Sequence, residues 1–390
     1  MAWSANAYAD KIGGSNLPRS TPPLKERIAE NDGASTAILV SSGIGVTNNA
    51  GPTLEEKPSA FVERRLGYAH VATTPAGRLD LGISLSDQRY KDFSEADEWS
   101  GRAAASLTRD WGGQQTILAF TAASARDVEE RLTETSFALQ HAWTSANVAP
   151  YLKADMALLD YGDVGDKLPP FGNQDDRDRI SSRAEAGLRL TLTEHVELQV
   201  GAGLDTKRYL ARHDDFGLRR DSVSVYPAVG LAYTGEVGTL RAVYMPFRRN
   251  YREPLFRDAW SQGYALEGHI TLSEHVRAFA ISRRGFEETD FLIASSAYEA
   301  AAVAGLALTL KSGTFTLSAS ETQREYDGLN MIGLVRDDRK FEFALDGEMP
   351  LFDNISLTGR VSYMDYQSSF ARIRTDELAA SLGLTYLATQ

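Results

Sequence analysis

The chain has 390 residues, a formal net charge of -12, 24% charged residues and no cysteine. The missing cysteine excludes a disulfide scaffold, a thiolate zinc site and a cysteine nucleophile. An acidic chain without a basic stripe argues against nucleic acid as a partner, because phosphates are neutralised by clustered Lys and Arg. The mean hydropathy is -0.30, and no run approaches the ~20 apolar residues of a membrane helix.

The N-terminal segment contains a possible processing signal. Ala7-Tyr8-Ala9 before Asp10 fits the small-x-small pattern of secretory cleavage sites. We therefore assign residues 1–36 to a residual signal and a periplasmic segment. The part from Asp10 to Ser35 is rich in proline and charge. A disordered leader is the favoured interpretation, and a tether, a lumen plug or a handle for a partner protein are the alternatives.

From residue 37 onward, apolar and polar residues alternate in long stretches. The alternation is clear over 79–86, again on both sides of 192–196, and finally over 377–386. A period of two places one set of side chains on each face of a sheet. The stretches run to about 10 to 15 residues, whereas strands of sandwiches are typically ~5 to 6 residues long. This length favours a barrel over a soluble sandwich. A propeller is disfavoured because its blades repeat four strands per period, whereas this repeat holds only two.

A repeat of hairpins divides the chain. Leu192-Thr193-Glu194-His195-Val196 nearly recurs as Leu272-Ser273-Glu274-His275-Val276, and short turns at 75–77, 112–113, 146–147, 235–238, 311–314 and 352–354 complete the series. Long polar connections, such as Gly162 to Arg179, alternate with these turns. Short turns at one end and long loops at the other are typical of outer-membrane barrels. We predict an all-β, transmembrane, antiparallel up-and-down β-barrel of about 18 strands over residues 37–390, with short periplasmic turns and longer external loops.

Two prolines fit poorly into this pattern. Pro227 and Pro246 fall inside predicted strands, where proline removes a ladder hydrogen bond. Bulges or shortened strands near Tyr226 and Met245 are the expected solution.

The hairpin period, the Glu-His-Val turns and the strand style resemble the outer-membrane β-barrel porins of alphaproteobacteria. This resemblance covers roughly residues 37–390 and implies a bacterial outer-membrane location with both termini periplasmic. One departure is the C-terminus, which ends Leu387-Ala388-Thr389-Gln390 instead of in an aromatic residue, although Tyr386 lies nearby.

One predicted face of the barrel carries many charges, and burying each of them in a dry core would cost several kcal/mol. A water-filled lumen removes that cost, so we interpret this face as the lining of a pore. Because both signs are present, no strong ion selectivity is evident. The predicted pore-lining residues are Arg78, Asp80, Arg102, Arg183, Glu185, Arg189, Glu197, Asp205, Arg241, Glu267, Glu342, Asp346, Arg360 and Glu377. Lys153, Asp155 and Lys311 belong to the same predicted face.

The opposite face is expected to be apolar, with aromatic girdles at its two borders. Residues that fit girdle positions near strand ends are Trp99, Trp111, Tyr233, Tyr244, Phe341, Phe343 and Tyr386.

The resulting function hypothesis is a porin-like aqueous channel for hydrophilic solutes in contact with outer-membrane lipid and lipopolysaccharide. Alternatives are a conduit for exopolysaccharide export that works with periplasmic and inner-membrane partners, and a structural or adhesive barrel. We predict no enzymatic activity, cofactor or metal. His269, two residues after Glu267, is the nearest approach to acid-base machinery, and a hydrogen-bonding role is expected for it. The acidic side chains Asp175, Asp176 and Asp178 are expected to be solvated, and an inward-folded constriction or a divalent-ion site is the alternative.

Overall fold

The computed structural model describes residues 34–50, 57–126, 131–143, 147–162, 175–214, 217–256, 258–287, 294–328, 336–369 and 373–390. Residues 1–33, which make up most of the predicted N-terminal segment, lie outside this set. The first strand begins at Ala34, slightly before the boundary predicted at residue 37.

Eighteen strands make up nearly all of the described structure. They are β1 Ala34–Thr47, β2 Ser59–Thr74, β3 Gly77–Tyr90, β4 Glu98–Asp110, β5 Gln114–Arg126, β6 Arg131–Trp143, β7 Val148–Gly162, β8 Arg179–Thr191, β9 Val196–Tyr209, β10 Ser222–Gly235, β11 Gly238–Tyr251, β12 Ala259–Thr271, β13 Val276–Glu287, β14 Ala294–Leu310, β15 Gly313–Gly328, β16 Asp337–Phe352, β17 Ile355–Ser368 and β18 Ile373–Thr389. Two short 3-10 helices, Ser94–Ala96 and Asp175–Arg177, lie between strands. No helix among the described residues is long and apolar enough to cross a membrane.

The sheet closes on itself. Each strand pairs antiparallel with the next along the chain, and β1 also pairs with β18, for example Ile44 with Leu382. Closure removes the exposed sheet edges that an open sheet would present. The strands have 12 to 17 residues, more than the ~9 to 11 that a tilted strand needs to span a bilayer. The predicted 18-stranded up-and-down barrel is confirmed.

The repeated Glu-His-Val segments form two turns with the same hydrogen bonds. Leu192 N–H donates to the Val196 carbonyl at 2.9 Å, and Val196 N–H donates to Thr193 Oγ1 at 3.1 Å. The second turn repeats both contacts, since Leu272 N–H bonds the Val276 carbonyl at 2.9 Å and Ser273 takes the place of threonine. The repeat is therefore a turn in which a Ser or Thr hydroxyl accepts hydrogen bonds from backbone N–H groups of the same turn.

The two prolines are accommodated in a way that the sequence did not indicate. β10 and β11 keep their full length and their register, so the expected bulge or shortened strand is wrong. The pairing is instead interrupted between Val225–Arg248 and Val229–Tyr244, and in this register Pro227 and Pro246 lie opposite each other. Neither proline has an N–H to donate to the other, which explains the gap. The gap affects only the pairing between β10 and β11, and the pairings with β9 and β12 continue.

Side chains alternate strictly between the two faces of the barrel. In β10, Val225, Val229 and Leu231 point outward and are 46 to 48% exposed, whereas Tyr226 and Ala228 point inward and are buried. The register carries this alternation around all 18 strands. An apolar outer face on a closed barrel defines the class of protein: this chain is a transmembrane β-barrel.

The predicted girdle aromatics lie on the outer face, except for Trp111, which is in the β4–β5 turn. Trp99, Tyr233 and Tyr386 are near strand ends as expected. Tyr244 and Phe343 are not, since both rings lie mid-strand.

Candidate functional site

All predicted pore-lining residues lie on the inner face of the barrel. The register places Arg78, Asp80, Arg102, Arg183, Glu185, Arg189, Glu197, Asp205, Arg241, Glu267, Glu342, Asp346, Arg360 and Glu377 there. Lys153 and Asp155 share this face, but Lys311 does not, since it occupies the tight turn between β14 and β15. The predicted pore-lining residues are spread over nine strands and do not converge on one site.

The densest part of the inner face is the region that β7–β11 contribute, here called the packed wall. At its centre is the carboxylate of Glu185, whose side chain is 7% exposed. It accepts a hydrogen bond from Tyr151 Oη at 3.0 Å and pairs with Lys153 Nζ at 3.2 Å. Gln199 Nε2 donates to the same carboxylate at 3.1 Å and to Tyr151 Oη at 2.7 Å. A buried carboxylate with this many donors is satisfied and held in one orientation.

A second group of contacts in the packed wall is centred on Arg183. Its Nε donates to Tyr226 Oη at 2.5 Å, its Nη2 lies 3.5 Å from Glu185 Oε2, and the same Nη2 contacts Met245 Sδ at 3.4 Å. Arg183 on β8 therefore reaches β10 and β11 across the strands between them. The inner side chains lie flat along the wall.

Glycines provide the space for this layer. A Cβ at Gly203 would lie 2.2 Å from the Tyr226 ring, and a Cβ at Gly201 would lie 2.3 Å from Tyr151 Oη. Gly187 lies under the same Tyr151 ring. Gly in a strand often marks such a close approach. The three glycines thus allow two tyrosines to cover the backbone of neighbouring strands.

Two further groups of ion pairs lie on the inner face outside the packed wall. On β16 and β17, Arg360 bonds Glu342 at 2.7 Å and Asp346 at 3.1 Å. On β13–β15, Glu299 pairs with Arg324 at 2.6 Å and with Arg283 at 3.4 Å.

The inner face of β3–β5, here called the open wall, has small side chains instead. Ser84 is exposed, and Gly82, Ala104, Ser106 and Thr121 are partly exposed although they point inward. Its charged pair, Arg78 with Asp80 at 3.2 Å, is also partly exposed. Space for water and solute therefore lies along this side of the lumen.

The remaining predicted residues have ordinary roles. His269 Nδ1 lies 3.1 Å from Thr239 Oγ1, which is the expected hydrogen-bonding role. Asp178 Oδ1 accepts a hydrogen bond from Tyr161 N–H at 2.7 Å and so fixes the start of β8. The rest of the acidic loop, residues 163–174, lies outside the described residues. The described residues contain no cluster of three or more potential metal ligands.

The sequence analysis missed the neutral members of the packed wall, Tyr151, Gln199, Tyr226 and Met245. For three of them a signal was available, because Tyr151, Gln199 and Met245 each have the same parity as a charged residue on their own strand. Tyr226 had no such signal, since β10 contains no charged residue. Alternation shows the face of a residue, but it does not show which distant residue it contacts.

Comparisons with solved structures give distant similarities. The Acinetobacter baumannii protein OccAB4 has a TM-score of 0.46 and 11% identity, with 93% of this chain and 99% of that chain covered. The outer membrane protein opdK from Pseudomonas aeruginosa has a TM-score of 0.47 and 10% identity, covering 92% and 99%. The siderophore receptor PirA from the same organism has a TM-score of 0.44 and 11% identity, covering 92% and 80%. No family model and no curated protein matches, so the alphaproteobacterial resemblance stays a prediction.

Proposed function

We propose that this chain is an outer-membrane β-barrel that forms a porin-like aqueous channel for hydrophilic solutes. The observation that carries the proposal is the separation of the two faces. The outer face is apolar, and the inner face carries charged and polar side chains from the short turns to the long loops. A barrel of this strand number is wide enough to leave an aqueous lumen.

In this proposal the solute passes along the open wall, where most inward side chains are small and at least partly exposed. The packed wall, whose central side chains are buried and mutually bonded, supports the lumen on the other side. The predicted pore-lining residues outside the buried centre of the packed wall then border the water, with charges of both signs, whereas Arg183 and Glu185 belong to that centre. We place the short-turn end, where Thr36 and Gln390 exchange backbone hydrogen bonds, in the periplasm. The export-conduit and structural-barrel alternatives stay predictions.

The test uses the absence of cysteine in the native chain. Ser84→Cys places a thiol on the exposed inner surface of β3, and Ile83→Cys places one on the outer face beside it. Steady conductance in a planar bilayer is expected from the full-length protein and both variants. A charged, water-soluble methanethiosulfonate should lower the conductance of Ser84→Cys and leave Ile83→Cys and the native chain unchanged.

Two results would contradict the proposal. Folded protein that inserts without conducting is not a diffusion channel. An unchanged current from Ser84→Cys, with mass spectrometry showing that the thiol was modified, would mean that solute does not pass along the open wall.

A further inference from the structure

We propose that a row of outward-facing arginines on β13–β18 binds the phosphate groups of lipopolysaccharide. The row, here called the arginine row, lies at the long-loop end of these strands. It has one residue from each strand, and three of the six are arginines: Arg284, Ala300, Gln323, Arg339, Gln367 and Arg374. The inference goes beyond channel activity, although it rests on the proposed outer-membrane location.

The strand register aligns these residues directly. Arg284 pairs with Ala300, Ala300 with Gln323, and the same line continues through Arg339 and Gln367 to Arg374. Because neighbouring strands are ~4.8 Å apart, Arg339 and Arg374 stand about 10 Å apart along the row. The side chains of Arg284, Arg339 and Arg374 are 40%, 58% and 69% exposed.

The row borders the apolar part of the outer face. Moving toward the short turns, the next outward row contains Glu321, Phe341, Asp365 and Asp376, and the row after that is Ala319, Phe343, Tyr363 and Leu378. The arginines therefore lie where the headgroups of a lipid leaflet would begin. Arginine and glutamine both donate hydrogen bonds, and a guanidinium matches phosphate oxygens in pairs.

Acidic neighbours do not occupy these arginines fully. Arg339 Nε is 2.7 Å from Glu321 Oε1, and Arg374 contacts Asp365 through Nε and Nη2, each at 3.4 Å. The two glutamines donate one hydrogen bond each to the same carboxylates, Gln323 to Glu321 at 2.8 Å and Gln367 to Asp365 at 2.9 Å. Arg284 is 4.0 Å from Glu325. Exposed ion pairs of this kind contribute little, and each guanidinium has five N–H donors. Donors therefore remain for a phosphate.

The opposite end of the barrel lacks such a row. Among the described residues, the outward strand positions beside the short turns are uncharged apart from Arg109, and Leu240, Ile270 and Leu384 are representative. The guanidinium of Arg109 stacks on Trp111 at 3.8 Å. The short turns themselves carry exposed acidic residues such as Glu194 and Glu274, so the outward row of arginines is found at the long-loop border. A basic row at one border fits a membrane with a phosphorylated glycolipid in only one leaflet, and this asymmetry favours lipopolysaccharide over an ordinary phospholipid.

The experiment measures binding of phosphorylated rough lipopolysaccharide to the full-length protein folded in neutral detergent. The triple variant Arg284→Gln, Arg339→Gln, Arg374→Gln is expected to bind at least about tenfold more weakly, which corresponds to about 1.4 kcal/mol. Arg109→Gln, which removes an outward arginine at the other end, is the matched control and should bind like the native protein. Dephosphorylated lipopolysaccharide should bind weakly and without dependence on the row.

Three outcomes would overturn the inference: native affinity of the triple variant, equal binding of dephosphorylated lipopolysaccharide, or equal, row-dependent binding of phosphatidylglycerol. If the triple variant does not fold, the three single variants are measured, and unchanged affinity in all of them has the same meaning. This binding measurement does not depend on whether the protein conducts. A protein that binds lipopolysaccharide through the row but passes no current would thus contradict the channel proposal and support this inference.

Discussion

The packed wall and the open wall have the same backbone architecture and opposite interiors. On β7–β11 long, charged and aromatic inner side chains lie over smaller ones, and Tyr151 and Tyr226 are each only 2% exposed. On β3–β5 the inner side chains are mostly Gly, Ala, Ser and Thr, and they leave space in the lumen. Strand pairing thus fixes the barrel on both sides, while side-chain size decides which side is filled.

The two walls also differ in how their charged side chains are surrounded. Glu185 is buried and holds its position through several donors, whereas Asp80 faces one partly exposed arginine. A buried charge is costly once its partner is lost, and an exposed pair contributes little. We therefore expect the packed wall to stabilise the barrel and the open wall to determine what passes through it.

The largest expected effect comes from removing the central carboxylate of the packed wall. Glu185→Ala leaves Lys153 and Arg183 without their shared acid, and we expect the free energy of unfolding to fall by about 3 kcal/mol. Asp80→Ala on the open wall should cost less than about 1 kcal/mol. Urea unfolding in micelles, followed by tryptophan fluorescence, measures both. Equal losses would mean that the two walls do not differ in electrostatic support.

A smaller effect is expected from filling the space under a tyrosine. In Gly203→Val the new side chain collides with the Tyr226 ring, and overpacking of this kind costs about 2 kcal/mol. Gly82→Val is the matched change on the open wall, where the nearest atom to a Cβ is the Tyr68 carbonyl oxygen at 3.9 Å. That variant should be as stable as the native protein or slightly more stable, since Gly weakens a strand. A comparable loss in the same unfolding assay would show that the open wall has no free space.

The smallest effect concerns the backbone behind the packed wall. Pro227→Val supplies an N–H at the gap in the β10–β11 pairing, and one added hydrogen bond stabilises by about 1 kcal/mol at most. Part of this gain is offset because proline also restricts the unfolded chain. Hydrogen exchange of the β10 amides should slow near Tyr226 and Ala228. Unchanged exchange in Pro227→Val and in Pro246→Val would mean that the gap does not weaken the wall.

The sequence alone determined the closed barrel, its approximate strand number and, for charged residues within the strands, the face on which each side chain lies. The physical reason is that a period of two has only two phases, and a closed antiparallel sheet has only two faces. Once the hairpins are recognised, a residue such as Arg360 or Glu377 has one possible face. The turns were equally readable, because the Thr193 and Ser273 hydroxyls satisfy backbone N–H groups within their own turns.

Only the tertiary structure decided which inner residues meet. Arg183 contacts Met245, which is 62 residues away, and Gln199 contacts Tyr151, which is 48 residues away. Such contacts depend on the register of several successive strand pairs and on glycines that let a tyrosine lie across them. The opposition of Pro227 and Pro246 also depends on register, which alternation within one strand does not contain. Alternation within a strand therefore determines the face on which a side chain lies, and the register between strands determines which side chains it contacts.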